Sequence, residues 1–226
     1  MAKGKRKKQA RTRSSGRQHR KQRLRKSILI VCEGKKTEPI YFEALCSDLT
    51  LPLVEVVIES TGAGYLAVVN KALKERKSRE REAKKQRKNY WGKVEFDEVW
   101  CVFDSEQVKD KPLFYQAVNK AQANGLKLAV SIPCFEYWYL LHFKSTTQPF
   151  ANASEVIQAL KRFITNYDKN TNVFNQLSDY TDQAIVRAKR LRQKHPDQDN
   201  EYPNPSTRVD ELVEMLKKMS IESRGA

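Results

Sequence analysis

The chain has 226 residues, enough for one domain with a proper core, and 31% of them are charged against 39% hydrophobic. Its net charge of +16 is concentrated: residues 1–26 hold thirteen Lys or Arg and no acid, and Lys74 to Lys93 hold ten basic and three acidic residues, which leaves a slightly acidic body. No stretch approaches the ~20 apolar residues of a transmembrane helix, and Cys32, Cys46, Cys101 and Cys134 form no CxxC pair, which argues against a zinc site or disulfide framework and for a reducing cytoplasm.

The tail MAKGKRKKQARTRSSGRQHRKQRLRK is read as disordered. It has no apolar face to embed in a bilayer, so the partner expected for Lys5, Arg6, Lys7, Lys8, Arg11 and Arg13 is DNA or RNA rather than membrane. A solubilising extension without a partner is the plainer alternative. Ser27 to Glu33 (SILIVCE) is a nearly continuous apolar run, the pattern of a strand buried on both faces of a parallel sheet. GKKTEP then supplies a turn and a helix start, with Thr37 as N-cap and the helix reaching about Asp48. LVEVVIES (Leu53 to Ser60) is a second strand, and the glycine turn TGAG opens a helix with apolar spacing at Tyr65, Leu66, Val69 and Leu73.

From Lys74 that apolar stripe is lost. The segment to Lys93 is read as a charged helical projection or basic arm, with Arg76, Arg79, Lys84 and Arg87 extending the nucleic-acid surface. EVWCVFD is a third strand ending at Asp104, Lys111 to Asn124 a helix stopped by Gly125, and Leu126 to Ile132 a fourth strand. Cys134 to Phe143 is a mostly apolar helix, and residues 144–226 are read as a helical C-terminal part with helices near 154–165 and 206–219. Strand and helix alternate four times, which predicts an α/β fold with a parallel four-stranded sheet flanked by helices, all within one domain over 27–226.

Sites in open parallel sheets form at the carboxyl ends of strands. Two strands here end in acids: the first at Glu33, followed by Lys35, and the third at Asp104, with Glu106 two residues on. A D-x-E pair leaving a strand can project to one side and share a hard cation such as Mg²⁺ or Mn²⁺. Glu33 is then a third ligand or a group exchanging a proton with water or a leaving oxygen. Capping or solvent exposure is the competing reading for each acid taken alone. Glu136 is read either as a fourth acid at the site or as a partnered core residue, His142 as a packing histidine before a catalytic one, and Lys35 as a phosphate contact or an exposed loop lysine. TGAG lacks the Lys and Ser/Thr of a Walker loop, so nucleotide triphosphate hydrolysis is not expected. Glu38 and Glu59 rank no higher than capping residues.

On these residues a family resemblance rests. ILIVCEGKKTEPIYFEAL, ESTGAGYLAVVNKAL, VWCVFDSE, PCFEYWYLLHF and NPSTRVDELVEML resemble successive blocks of RloB-like proteins across roughly residues 27 to 219, EGKKTEP and PCFEYWYLLHF most specifically. That resemblance implies a Toprim-like fold, a nuclease activity in restriction or abortive-infection defence against phage, and an ATPase partner. By position it makes Glu33 the proton-transfer group and Asp104 and Glu106 the metal ligands. Two positions depart from the pattern: Glu106 is one methylene longer than the usual Asp, and Ile132 stands where an Asn is expected. A nucleic-acid-binding adaptor with a degenerate site is the alternative function. Oligomeric state is open at this point.

Overall fold

The computed structural model describes residues 26–51, 54–86, 93–106, 112–195 and 201–224. The predicted tail contacts from Lys5 to Arg13, and Arg87, lie outside the described residues. Five strands form one sheet: β1 (Lys26–Cys32), β2 (Val54–Ser60), β3 (Glu98–Asp104), β4 (Lys127–Ile132) and β5 (Ser206–Thr207), in the order β2-β1-β3-β4-β5. The first four run parallel, as expected, but the sheet is five-stranded and mixed, because β5 pairs antiparallel with β4 through Ser131↔Thr207 and Ile132↔Ser206. Two residues are too few to show any period, and their pairing is secured by a 2.8 Å contact between the Ser131 and Thr207 hydroxyls.

The helices are α1 (Thr37–Leu49), α2 (Tyr65–Gln86), α3 (Pro112–Ala123), α4 (Glu136–Leu141), α5 (Ala153–Leu160), α6 (Phe174–Leu177), α7 (Thr181–Lys194) and α8 (Val209–Arg224). Alternate residues of each central strand enter opposite cores. Ile28, Ile30, Trp100, Val102 and Ala129 pack toward α1 and the C-terminal helices. Leu29, Val31, Cys101, Phe103 and Val130 pack toward α2 and α3. Burial on both faces is why β1 and β3 read as unbroken apolar runs.

The charged second half of α2 is less of a projection than its composition suggests. Arg79 is only 6% exposed and forms an ion pair with Glu55 of β2. Its Nε donates to the Val94 carbonyl at 2.7 Å, and its guanidinium lies 4.9 Å from the centre of the Phe96 ring. Arg79 is therefore placed as a packing residue, away from the exposed surface that was expected to carry it. The reason is that a guanidinium can close a sheet edge where no apolar stripe exists, since it brings both a charge and a flat stacking face. Arg76 and Lys84 remain on the outer side, with the Arg76 Nη1 donating to the Asn124 carbonyl at 2.8 Å. Arg79→Met should lower stability by about 1–2 kcal/mol because it strands the Ser27, Glu55 and Val94 acceptors. Urea titration of both variants checks this, since Lys84→Met should change stability by no more than about 0.5 kcal/mol.

Candidate active site

The crevice expected of an open α/β sheet lies where the strand order reverses. Here that point falls between β1 and β3, since the chain leaves β1 for β2 on one side and returns to β3 on the other. Backbone bonds stitch the turn after β1 to both neighbours: the Glu33 N–H donates to the Val102 carbonyl at 2.9 Å, and the Glu33 carbonyl accepts from the Gly62 N–H at 2.8 Å. Beyond β4, the Phe135 N–H donates to the Asp104 carboxylate at 3.0 Å, which holds the start of α4 against the end of β3. The result is a cleft of about 700 Å³ whose lining includes Glu33, Lys35, Glu38, Asp104, Glu136 and Lys169.

Two glycines make this crowding workable. The Gly34 N–H donates to the Glu38 carboxylate at 3.1 Å, and a Cβ on Gly34 would sit 2.3 Å from a Glu38 oxygen. Gly62 has φ +63, and a Cβ there would meet the Lys35 side chain at 2.2 Å. The Lys35 stem thus lies across the turn that follows β2.

Electrostatically the cleft holds more negative charge than it can carry comfortably. Burial above all, then the Glu38, Glu33 and Glu136 carboxylates, push the Asp104 carboxyl up to about 7, against the opposing Phe135 N–H. Burial likewise raises Glu38, with Glu136 adding and the backbone N–H groups and Lys169 opposing. Glu136 is 1% exposed, accepts from the Tyr167 hydroxyl at 3.0 Å and faces the Lys169 ammonium at 3.4 Å. Lys169 itself is anchored through its carbonyl, which accepts from the Thr37 hydroxyl at 3.2 Å. Burial works against its charge, but Glu136, Cys134 and Asp104 outweigh that and keep its pKa raised.

Of the residues singled out in the sequence, Glu33, Asp104, Lys35 and Glu136 meet in this cleft. Glu106 does not. The chain bends there, and its exposed carboxylate accepts from the Ala153 N–H at 3.0 Å, at the start of α5. The D-x-E pair therefore diverges here, with Asp104 turned into the cleft and Glu106 capping a neighbouring helix, so the two acids expected to share a cation are not brought together. His142 lies outside the cleft, fully buried, with its Nδ1 3.0 Å from the Trp138 carbonyl and its ring 4.8 Å from that indole. Burial first of all lowers its pKa to about 4, so it packs as a neutral ring. Glu38 and Lys169 were not ranked from sequence. Glu38 follows a glycine by four residues, a spacing that brings a helix's first acid back onto its entry turn. Lys169 sits in a polar loop far along the chain and carried no local signal.

The donor chemistry suits a hard cation, being carboxylate oxygen throughout, although among the described residues no group of three or more His, Cys, Asp or Glu is gathered as a preformed metal cage. Mg²⁺ is commonly held by one or two carboxylates with waters and substrate phosphates completing its shell, a demand that Glu33 and Asp104 can meet. Among the described residues no helix is long and apolar enough to cross a membrane. A family model described as RloB-like protein matches residues 28–216, most of the chain. Comparison with curated proteins and with solved structures gave no match.

Proposed function

The chain belongs to the RloB-like protein family, and from that premise we propose that it is a metal-dependent nuclease cleaving phosphodiester bonds in DNA or RNA. One observation carries the reading: at the reversal point of the sheet, strand-end acids line a cleft that Lys35, Lys36 and Lys169 also line. Such a combination suits a phosphate and a divalent ion together. Glu33 and Asp104 are the residues assigned to hold Mg²⁺ or Mn²⁺, which when bound would offset phosphate charge and make water more acidic. Glu33, at the mouth of the β1 turn, also exchanges a proton with the attacking water or the leaving oxygen. Lys35 and Lys169 meet the phosphate, while Glu136 and Tyr167 fix where Lys169 stands.

On this reading the activity serves restriction-linked or abortive-infection defence, with an ATPase as partner; the support for both is the resemblance of the sequence blocks. The divergence of Glu106 favours one competing function, an adaptor that binds nucleic acid without cutting it. Labelled single- and double-stranded DNA and RNA, incubated with the protein and Mg²⁺ or Mn²⁺, separate the two. Cleavage that stops in EDTA supports the nuclease. Binding that survives EDTA while no substrate is cut supports the adaptor.

A further inference from the structure

Seven residues after Glu136 the chain reaches Phe143, just beyond the far end of α4. The Phe143 ring lies parallel to that of Phe163, with centroids 5.1 Å apart and planes 4° from coplanar in direction. Tyr180 approaches the same Phe143 ring at 5.7 Å and 51°. Phe163 and Tyr180 are 45% and 43% exposed, so the stack is open to water on its outer side. Exposed Lys144, Lys161 and Arg162 adjoin the two phenylalanines in sequence, and the exposed acid beside Tyr180 is Asp179.

We propose that Phe143, Phe163 and Tyr180 form a stacking platform for single-stranded nucleic acid, with Lys144, Lys161 and Arg162 meeting its backbone. An unpaired base offers a flat π-face that can continue the Phe143–Phe163 stack, and its phosphates carry the charge that the three cations complement. A duplex offers the phosphates but no free base face, because its bases are already stacked on one another. Position also fits. Seven residues of helical rise place Phe143 roughly 10 Å along the α4 axis from the cleft acid Glu136, about three stacked nucleotides of one strand. The platform rests on the nucleic-acid reading above and deepens it: the preferred substrate is single-stranded, gripped a few nucleotides from the point of cutting.

The test is binding of the full chain, in EDTA, to a labelled single-stranded oligonucleotide and to its duplex, followed by fluorescence anisotropy. Phe163→Ala should weaken the single strand by about 5- to 100-fold, the worth of one base–aromatic stack, while the duplex changes less than about 2-fold. Tyr180→Ala should act in the same direction. Phe163→Trp, which keeps a flat ring, should bind like the wild type and guards against a folding artefact in the alanine variant. Because no charge is removed, the slope of log affinity against log salt should not move. Equal affinity of Phe163→Ala and wild type for the single strand overturns the platform while leaving the nuclease reading intact. A wild type that binds neither oligonucleotide overturns both. A Phe163→Ala change in oligomeric state with unchanged affinity assigns the rings to a protein contact and also overturns the proposal.

Discussion

Asp104→Asn is expected to abolish metal-dependent cleavage and, without metal, to make the protein more stable at pH 8 than the wild type. Both outcomes have one cause. Burial and the neighbouring Glu38, Glu33 and Glu136 carboxylates push the Asp104 carboxyl up to about 7. An unfolded chain releases that proton near pH 4. Between those values the folded state binds a proton that the unfolded state has lost, so wild-type stability from this group is full below about pH 4 and falls as pH rises through 7. Asparagine removes the penalty. At pH 8 the gain should be on the order of 2 kcal/mol, allowing for the partial exposure of the carboxyl, and it should shrink steadily as pH falls toward 4. Mg²⁺ or Mn²⁺ should raise the melting temperature of the wild type at pH 8 and leave the variant nearly unmoved. Cleavage should fall by at least about 100-fold, the scale of losing an oriented charge at a reacting phosphate. Urea titrations at pH 5 and pH 8, with and without metal, check the stability half. An Asn variant that is no more stable than wild type at pH 8 would show that the acids do not crowd one another.

A larger loss of stability is expected from a pair far from the cleft. Asp210 in the first turn of α8 is fully buried and bonded at both oxygens by Arg192 of α7, at 2.5 and 2.7 Å. The same guanidinium donates to the Thr207 carbonyl of β5 at 2.5 Å. One side chain therefore ties two helices to the edge of the sheet. Arg192→Met leaves a carboxylate buried without its partner and should cost about 3–5 kcal/mol. Replacing both members, as Arg192→Met with Asp210→Leu, should restore much of that loss, since it is the stranded charge that costs most. Chemical denaturation of the two variants measures it. A single-variant loss below about 1 kcal/mol would mean that water reaches Asp210 and that the helices are joined by apolar packing alone.

Much of the fold was legible because the central strands are buried on both faces and so stand out as apolar runs. Glu98 to Asp104 was placed at its observed ends for that reason, and the helix from Thr37 to about Asp48 was placed to within a residue by the turn and helix-start residues GKKTEP. The helix Thr181–Lys194 was missed because its buried stripe is Ala184, Ile185 and Ala188, two of them small residues set among lysines and arginines. The region assigned to a helix from 206 begins instead with a strand, since Thr207 both pairs with Ser131 and accepts from the Val209 N–H at 3.2 Å before α8 starts. At the site, Glu33 and Asp104 were readable as strand-end acids. That Glu106 turns away depends on where α5 presents its first free N–H, and that Lys169 turns in depends on its carbonyl being held by Thr37; both are tertiary contacts without a local signature. Arg79 read as surface because charge density alone does not show which arginine of a run closes over Glu55.

The central claim is that the acids of this cleft cut a phosphodiester, and cleavage by Glu33→Gln beside wild type and Glu106→Gln tests it most directly. Glu33→Gln keeps the size and removes the proton-exchanging group, whereas Glu106→Gln alters an acid that lies at the start of α5. Single-stranded DNA and RNA should be cut by the wild type in Mg²⁺ or Mn²⁺, cut comparably by Glu106→Gln, and cut at least about 100-fold more slowly by Glu33→Gln. Cleavage by Glu33→Gln at the wild-type rate, from protein freed of contaminating nucleases, would contradict the account.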